Sequence, residues 1–130
     1  PQWMTLSCGV NDVWHGKNGV ALDDAALAAG DFGAGGAARG TYKKNIASIV
    51  EKAEAAGIQV VLLTVTVIHE NLDSAENAKL APYNDYLRTL AREKKLRLAD
   101  LNAKVALLDC KTVVIIIIKL QVHIYSKSSR

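Results

Sequence analysis

Ile58-Gln59-Val60-Val61-Leu62-Leu63-Thr64-Val65-Thr66-Val67 is the stretch that decides how this chain folds. It is almost continuously apolar and β-branched, the pattern of a strand covered on both faces rather than wetted on one. Before it, Tyr42, Ile46, Ile49, Val50 and Ala53 recur at helical spacing, with Thr41 placed as an N-cap and Gly57 as a stop. After it, Leu80, Tyr83, Leu87, Leu90 and Ala91 mark a second amphipathic helix. Pro82 is expected in that helix's first turn, where a missing N–H costs nothing. Lys94 and Lys95 suit the negative pole at its end.

Two shorter runs flank this unit. Trp3-Met4-Thr5-Leu6-Ser7 reads as a strand, and so does Leu96 to Leu101, with Asn102 placed to cap a short helix through Leu108. The order strand, helix, strand, helix, strand, helix predicts an α/β fold. Right-handed crossovers then give a parallel sheet with helices on its faces. Loops leaving three parallel strands converge on one rim, where open α/β sheets carry their chemistry. The first loop brings Asn11, Asp12 and His15 there, the second His69, Glu70 and Asn71, the third Asp100 and Asn102. Asn and Asp after strands most often build turns and helix caps, and that is the expectation for all of them except Asn11.

The totals narrow the function classes. A length of 130 residues suits one domain with a single core. The 16 Lys+Arg against 13 Asp+Glu give a net charge of +3, too mild to argue for nucleic acid or an anionic membrane. Cys8 and Cys110 fit neither a metal spacing nor a disulfide framework, so no metal site and no cofactor are expected. Val113 to Ile118 is too short to cross a bilayer as a helix. The chain carries no signal-peptide pattern, and its compartment stays open.

Leu6-Ser7-Cys8-Gly9-Val10-Asn11-Asp12-Val13-Trp14-His15 supplies the specific information. From Ser7 onward it resembles the third sequence block of the SGNH hydrolases, also called GDSL-type esterases. The resemblance continues through Tyr42-Lys43-Lys44-Asn45-Ile46, through Ala55 to Thr64, through Leu80-Ala81-Pro82-Tyr83-Asn84-Asp85-Tyr86-Leu87, and through Leu98-Ala99-Asp100-Leu101-Asn102. It implies a flavodoxin-like three-layer sandwich around a parallel sheet, here truncated to about three core strands plus an atypical apolar C-terminal strand. It also implies hydrolysis of acyl or acetyl esters by a serine nucleophile, on a small-molecule or carbohydrate substrate in the full-length form. Members are often secreted or periplasmic. The one catalytic role that carries over falls on Asn11, whose side-chain N–H would face the oxyanion; Gly9 would permit the turn and Asp12 would fix the loop.

The family's Gly-Asp-Ser block has no counterpart before Trp3, and Leu120 stands where the aspartate of its Asp-x-x-His pair belongs, before His123. Residues 1–110 are therefore expected to be a partial esterase domain, inactive as an isolated fragment, with residues 111–130 an atypical apolar tail. Within the domain, residues 25–41 read as a flexible Gly/Ala-rich insertion holding five glycines from Gly30 to Gly40. Its Asp31-Phe32-Gly33 triplet and its Gly33-Ala34-Gly35-Gly36 run lack the strand context of a kinase or dinucleotide loop. Arg88, Arg92, Lys94, Lys95 and Arg97 read as a solvated helix face. The alternatives are a non-catalytic α/β binding or oligomerisation module, self-associating through an exposed sheet edge, and, more weakly, a flavodoxin-like binder of flavin or phosphate.

Overall fold

The computed structural model describes residues 2–69 and 71–106. Strands β1 (Trp3–Leu6), β2 (Gln59–Leu63) and β3 (Arg97–Ala99) form one parallel sheet in the order β1-β2-β3. Helices α1 (Val10–Val13), α2 (Asp24–Ala28), α3 (Tyr42–Ala55), α4 (Ala75–Glu93) and α5 (Leu101–Ala106) complete the described elements, with one 3-10 turn at Ala37–Arg39. The architecture is α/β with parallel strands, as the apolar run at its centre predicts.

Register shows where the core lies. Met4 pairs with Val60, Leu6 with Leu62, and Leu62 with Leu98, so these side chains share one face. Helices α3 and α4 pack on that face, burying Leu6, Val60 and Leu62 against Ile46, Val50, Leu80 and Leu87. Tyr42 of α3 and Tyr83 of α4 meet edge to face at 4.9 Å in the middle of it. The other face carries Trp3, Thr5, Val61, Leu63 and Arg97 and stays half-exposed, with the Arg97 guanidinium 4.5 Å above the Trp3 ring. The expected cover on both faces of β2 is therefore not seen among the described residues. The topology explains this. Each strand is added on the same side of the last, and right-handed crossovers taken in one direction put their helices on one face.

Element boundaries moved for identifiable reasons. β2 ends at Leu63 rather than Val67, because the amide side chain of buried Asn84 on α4 takes both main-chain groups of Val65. α4 begins earlier than the hydrophobic spacing shows: the Ser74 hydroxyl accepts the Asn77 N–H and starts the helix at Ala75. Pro82 consequently sits about two turns inside α4, not in its first turn. Its ring is exposed, and the carbonyl it leaves unpaired belongs to Ala78, also exposed and so open to solvent. Asn102 does not cap α5. Asp100 does, accepting the Ala103 N–H at 3.1 Å, so β3 stops at Ala99. The end of that helix expected at Leu107 and Leu108, the loop residue Glu70, and the apolar run from Thr112 to Tyr125 lie outside the described residues.

Both long helices end in the same hydrogen-bond motif. Gly57 (φ 71°) closes α3 through Gly57 N–H to Glu54 and Ile58 N–H to Ala53. Lys95 (φ 56°) does the same for α4, a position where glycine is usual. Thr41 stands at the N-cap position of α3, but its side chain caps nothing and its hydroxyl is buried without a partner. Among the described residues no helix is long and apolar enough to cross a membrane.

Candidate functional site

The carboxyl ends of the three strands define one rim, and the loop from β1 reaches it through Gly9. This residue has φ 134°, and a Cβ there would lie 2.8 Å from Val65 Cγ2 and 3.2 Å from Tyr42 Oη. Only glycine fits so close to the second loop while holding that backbone angle. The preceding carbonyl, that of Cys8, accepts the Tyr42 hydroxyl at 2.8 Å. Burial pushes the Tyr42 phenol up far enough to keep it a donor at any physiological pH. Desolvation, with Asp12 nearby, likewise raises the Cys8 thiol, so it stays uncharged and is not an activated nucleophile.

From this anchored turn α1 projects Asn11 into solvent, and among the described residues its side-chain amide has no hydrogen-bond partner. Asp12 turns inward, where its Oδ1 accepts the Val20 N–H at 3.1 Å and ties the 9–20 loop into a closed unit. The three residues of the motif thus divide their work: Gly9 bends, Asp12 ties, and Asn11 is left with an unused donor.

His15 enters a cluster that sequence spacing did not show. Its Nε2 lies 2.6 Å from Asp31 Oδ1, and Lys79 Nζ approaches both that nitrogen and, at 2.7 Å, the same carboxylate oxygen. Lys79 first, then His15, holds the Asp31 carboxyl below the usual carboxylate range. Asp31 belongs to the Gly/Ala-rich segment and Lys79 to α4, so no local pattern could have joined them. The same segment, expected to be a flexible excursion, holds most of α2 and the 3-10 turn and packs main chain on main chain. Gly33 N–H reaches Gly19 O at 2.9 Å, and a Cβ on Gly33 would stand 2.0 Å from Gly16 O.

The second loop is fixed by amides in addition to the burial of Val65 and Ile68 in the core. Asn84 brackets Val65, and Asn77 brackets Ile68 while also donating to Asn71 O. His69, at φ 58°, brings its ring 5.8 Å from that of Trp14, which joins the first and second loops. Asn71 makes a local turn to Asp73 N–H, as Asx residues after strands commonly do.

At the third strand, Asp100 is structural. Its carboxylate accepts from Arg88 Nε at 2.8 Å, from Arg88 Nη2 at 3.1 Å and from the Thr64 hydroxyl at 2.9 Å, in addition to capping α5. The Arg88 guanidinium, ahead of the cap and the hydroxyl, brings its pKa down to about 2. Arg88 is therefore not part of a solvated face, although Arg92, Lys95 and Arg97 are exposed as expected. The Asn102 N–H donates to Thr64 Oγ1, which locks β2 to β3 at the rim.

Two open clefts flank the β1 loop. One, of about 390 Å³, lies between Cys8, Asp12, Asn18, Tyr42 and Ile49. The other, of about 270 Å³, lies between Trp14, His15, Glu76 and Lys79. Among the described residues no group of three acidic, histidine or cysteine side chains is placed to hold a metal ion. No serine oxygen there hydrogen-bonds to a histidine ring: the Ser74 hydroxyl is committed to its cap.

Comparison with known proteins bears on the fold and the family. The chain is similar in fold to the acetylxylan esterase of Geobacillus stearothermophilus, seen in two structures of catalytic mutants. The TM-scores are 0.55 and 0.57 at 19% identity, over 79% and 81% of this chain. It spans only 42% and 43% of those proteins. No curated protein matches it. The profile of the GDSL-like lipase/acylhydrolase family matches residues 1–110, and with that span covered the chain belongs to that family.

Proposed function

We propose that this chain forms the oxyanion-binding part of a serine ester hydrolase that removes acyl or acetyl groups from small-molecule or carbohydrate esters. The observation that supports it most is the Asn11 amide, presented to solvent at the carboxyl end of β1 on a turn that Gly9, Asp12 and Tyr42 hold rigid. Such a donor stabilises negative charge only if it is already in place when charge develops, which is what a braced loop provides. In this reading Asn11 Nδ2–H donates to the carbonyl oxygen as it becomes an oxyanion. Gly9 and Asp12 act by holding the turn, without touching substrate.

In this reading the attacking hydroxyl and its base are not among the described residues, and the isolated chain is expected to be inactive. In support, the described serines have no histidine within hydrogen-bonding reach, and a serine needs one to lose its proton. Hydrolysis of p-nitrophenyl acetate tests both statements. Residues 1–130 should show no turnover above background; turnover that Asn11→Ala abolishes overturns the inactivity. In the natural gene product containing this chain, Asn11→Ala should lower kcat by about 10²–10³ with KM little changed. An unchanged kcat overturns the oxyanion role.

A non-catalytic module that self-associates is the second reading, supported by the half-exposed sheet face with Trp3 and the exposed Ile49. Light scattering of the chain with and without residues 111–130 tests it. A fully monomeric profile for both removes it.

A further inference from the structure

We propose that Trp14 and Glu76 form a subsite for one sugar ring of a carbohydrate ester, an inference that rests on the esterase reading for its purpose but not for its geometry. Trp14 follows Asn11 by three residues, as the C-cap of α1 in helical conformation, so the two side chains lie on neighbouring positions of one helix face. The residue is 49% exposed. A tryptophan left that open beside a concave surface costs apolar hydration that a core position would have removed. It is nonetheless not loose: the His69 ring braces it on one side at 5.8 Å.

The cleft it lines is completed by Val13, His15, Ala75, Glu76 and Lys79. Its volume of about 270 Å³ falls just below the roughly 300–1,000 Å³ of sites for drug-sized ligands, which suits a single ring. The polar groups select the kind of ring. Glu76 is half-buried, lines the cleft, and makes no ion pair or hydrogen bond through its carboxylate among the described residues. Lys79 donates to Asp31 and lies against His15, which leaves it at least one N–H donor. An acyl chain laid across this surface would strip water from the Glu76 carboxylate and offer nothing in return. A pyranose offers what both walls need: axial C–H groups for the indole face, and hydroxyls that donate to Glu76 and accept from Lys79. The cleft therefore takes the sugar side of the ester, one helical turn from the donor proposed to meet its carbonyl.

Xylotriose binding to the whole chain tests this without any chemistry. In a Trp3→Phe background, indole fluorescence reports on Trp14 alone. Saturable quenching with Kd in about the millimolar range is expected. Ligand-observed NMR should then show binding lost in Trp14→Ala, partly kept in Trp14→Phe, and weakened at least about 5-fold in Glu76→Gln. Circular dichroism should be unchanged in all three, since Trp14 is exposed and the Glu76 carboxylate holds no partner among the described residues. Absent binding overturns the subsite, as does binding indifferent to Trp14→Ala, or preferential displacement by octanoate. Asn11→Ala keeps the two readings apart. It should leave xylotriose binding intact even where it removes ester hydrolysis, and sugar binding without any hydrolysis in the natural gene product would sink the enzyme reading alone.

Discussion

Replacing Asp100 by Asn isolates the junction that holds the rim together. The carboxylate accepts from Arg88, Thr64 and the first turn of α5, and its pKa is drawn to about 2 chiefly by Arg88. A carboxyl depressed that far contributes at most about 2.6 kcal/mol at pH 7. Its side chain is 29% exposed, so water screens part of this, and about 1–2 kcal/mol is the expected loss in Asp100→Asn. The sign follows from the direction of the shift. The folded pKa lies below the unfolded one, so the contribution is complete above about pH 4 and disappears as pH falls through about 2. Urea unfolding of both proteins at neutral pH and near pH 2 reads the difference directly. The gap should be about 1–2 kcal/mol at pH 7 and close toward zero in acid, with unchanged m-values. A gap of the same size at both pH values would refute the charge argument and leave only a lost cap.

Three further substitutions test packing. Gly9→Ala should destabilise by about 2 kcal/mol or more, because φ 134° and the 2.8 Å approach to Val65 both resist a side chain; a thermal midpoint within error of the parent would show that the turn relaxes freely. Lys95→Gly should stabilise by about 0.5–1 kcal/mol by relieving the left-handed position that closes α4, measured by denaturant midpoint. Gly33→Ala should slow or weaken folding by more than about 1–3 kcal/mol, since the new Cβ meets the Gly16 carbonyl oxygen at 2.0 Å, and neutrality would mean that the 25–41 segment moves away at no cost.

The parts of this fold legible in the sequence were those set by local periodicity. Val60 and Leu62 announced the central strand, and Tyr42, Ile46 and Val50 announced the buried face of α3. What stayed hidden depended on partners distant in sequence. Asn84 ends β2 from nineteen residues away, and Asp100 rather than Asn102 caps α5 because Arg88 and Thr64 also claim its carboxylate. The same holds for the rim. The Gly9–Asn11–Asp12 turn was visible as a short motif, whereas the meeting of His15, Asp31 and Lys79 spans up to 64 positions. The one-sided helix cover among the described residues follows from strand order, which no apolar run encodes.

Two amides on one helix clasp the main chain at Val65 and Ile68, whose own side chains pack into the core. Because Asn77 and Asn84 read the backbone and ignore what hangs from it, substitutions at exposed Thr66 or His69 leave the clasp untouched. The loop is thereby free to diversify what it displays to a ligand while its path through space stays constant, a mounting on which new selectivities could be tried without unfolding the frame.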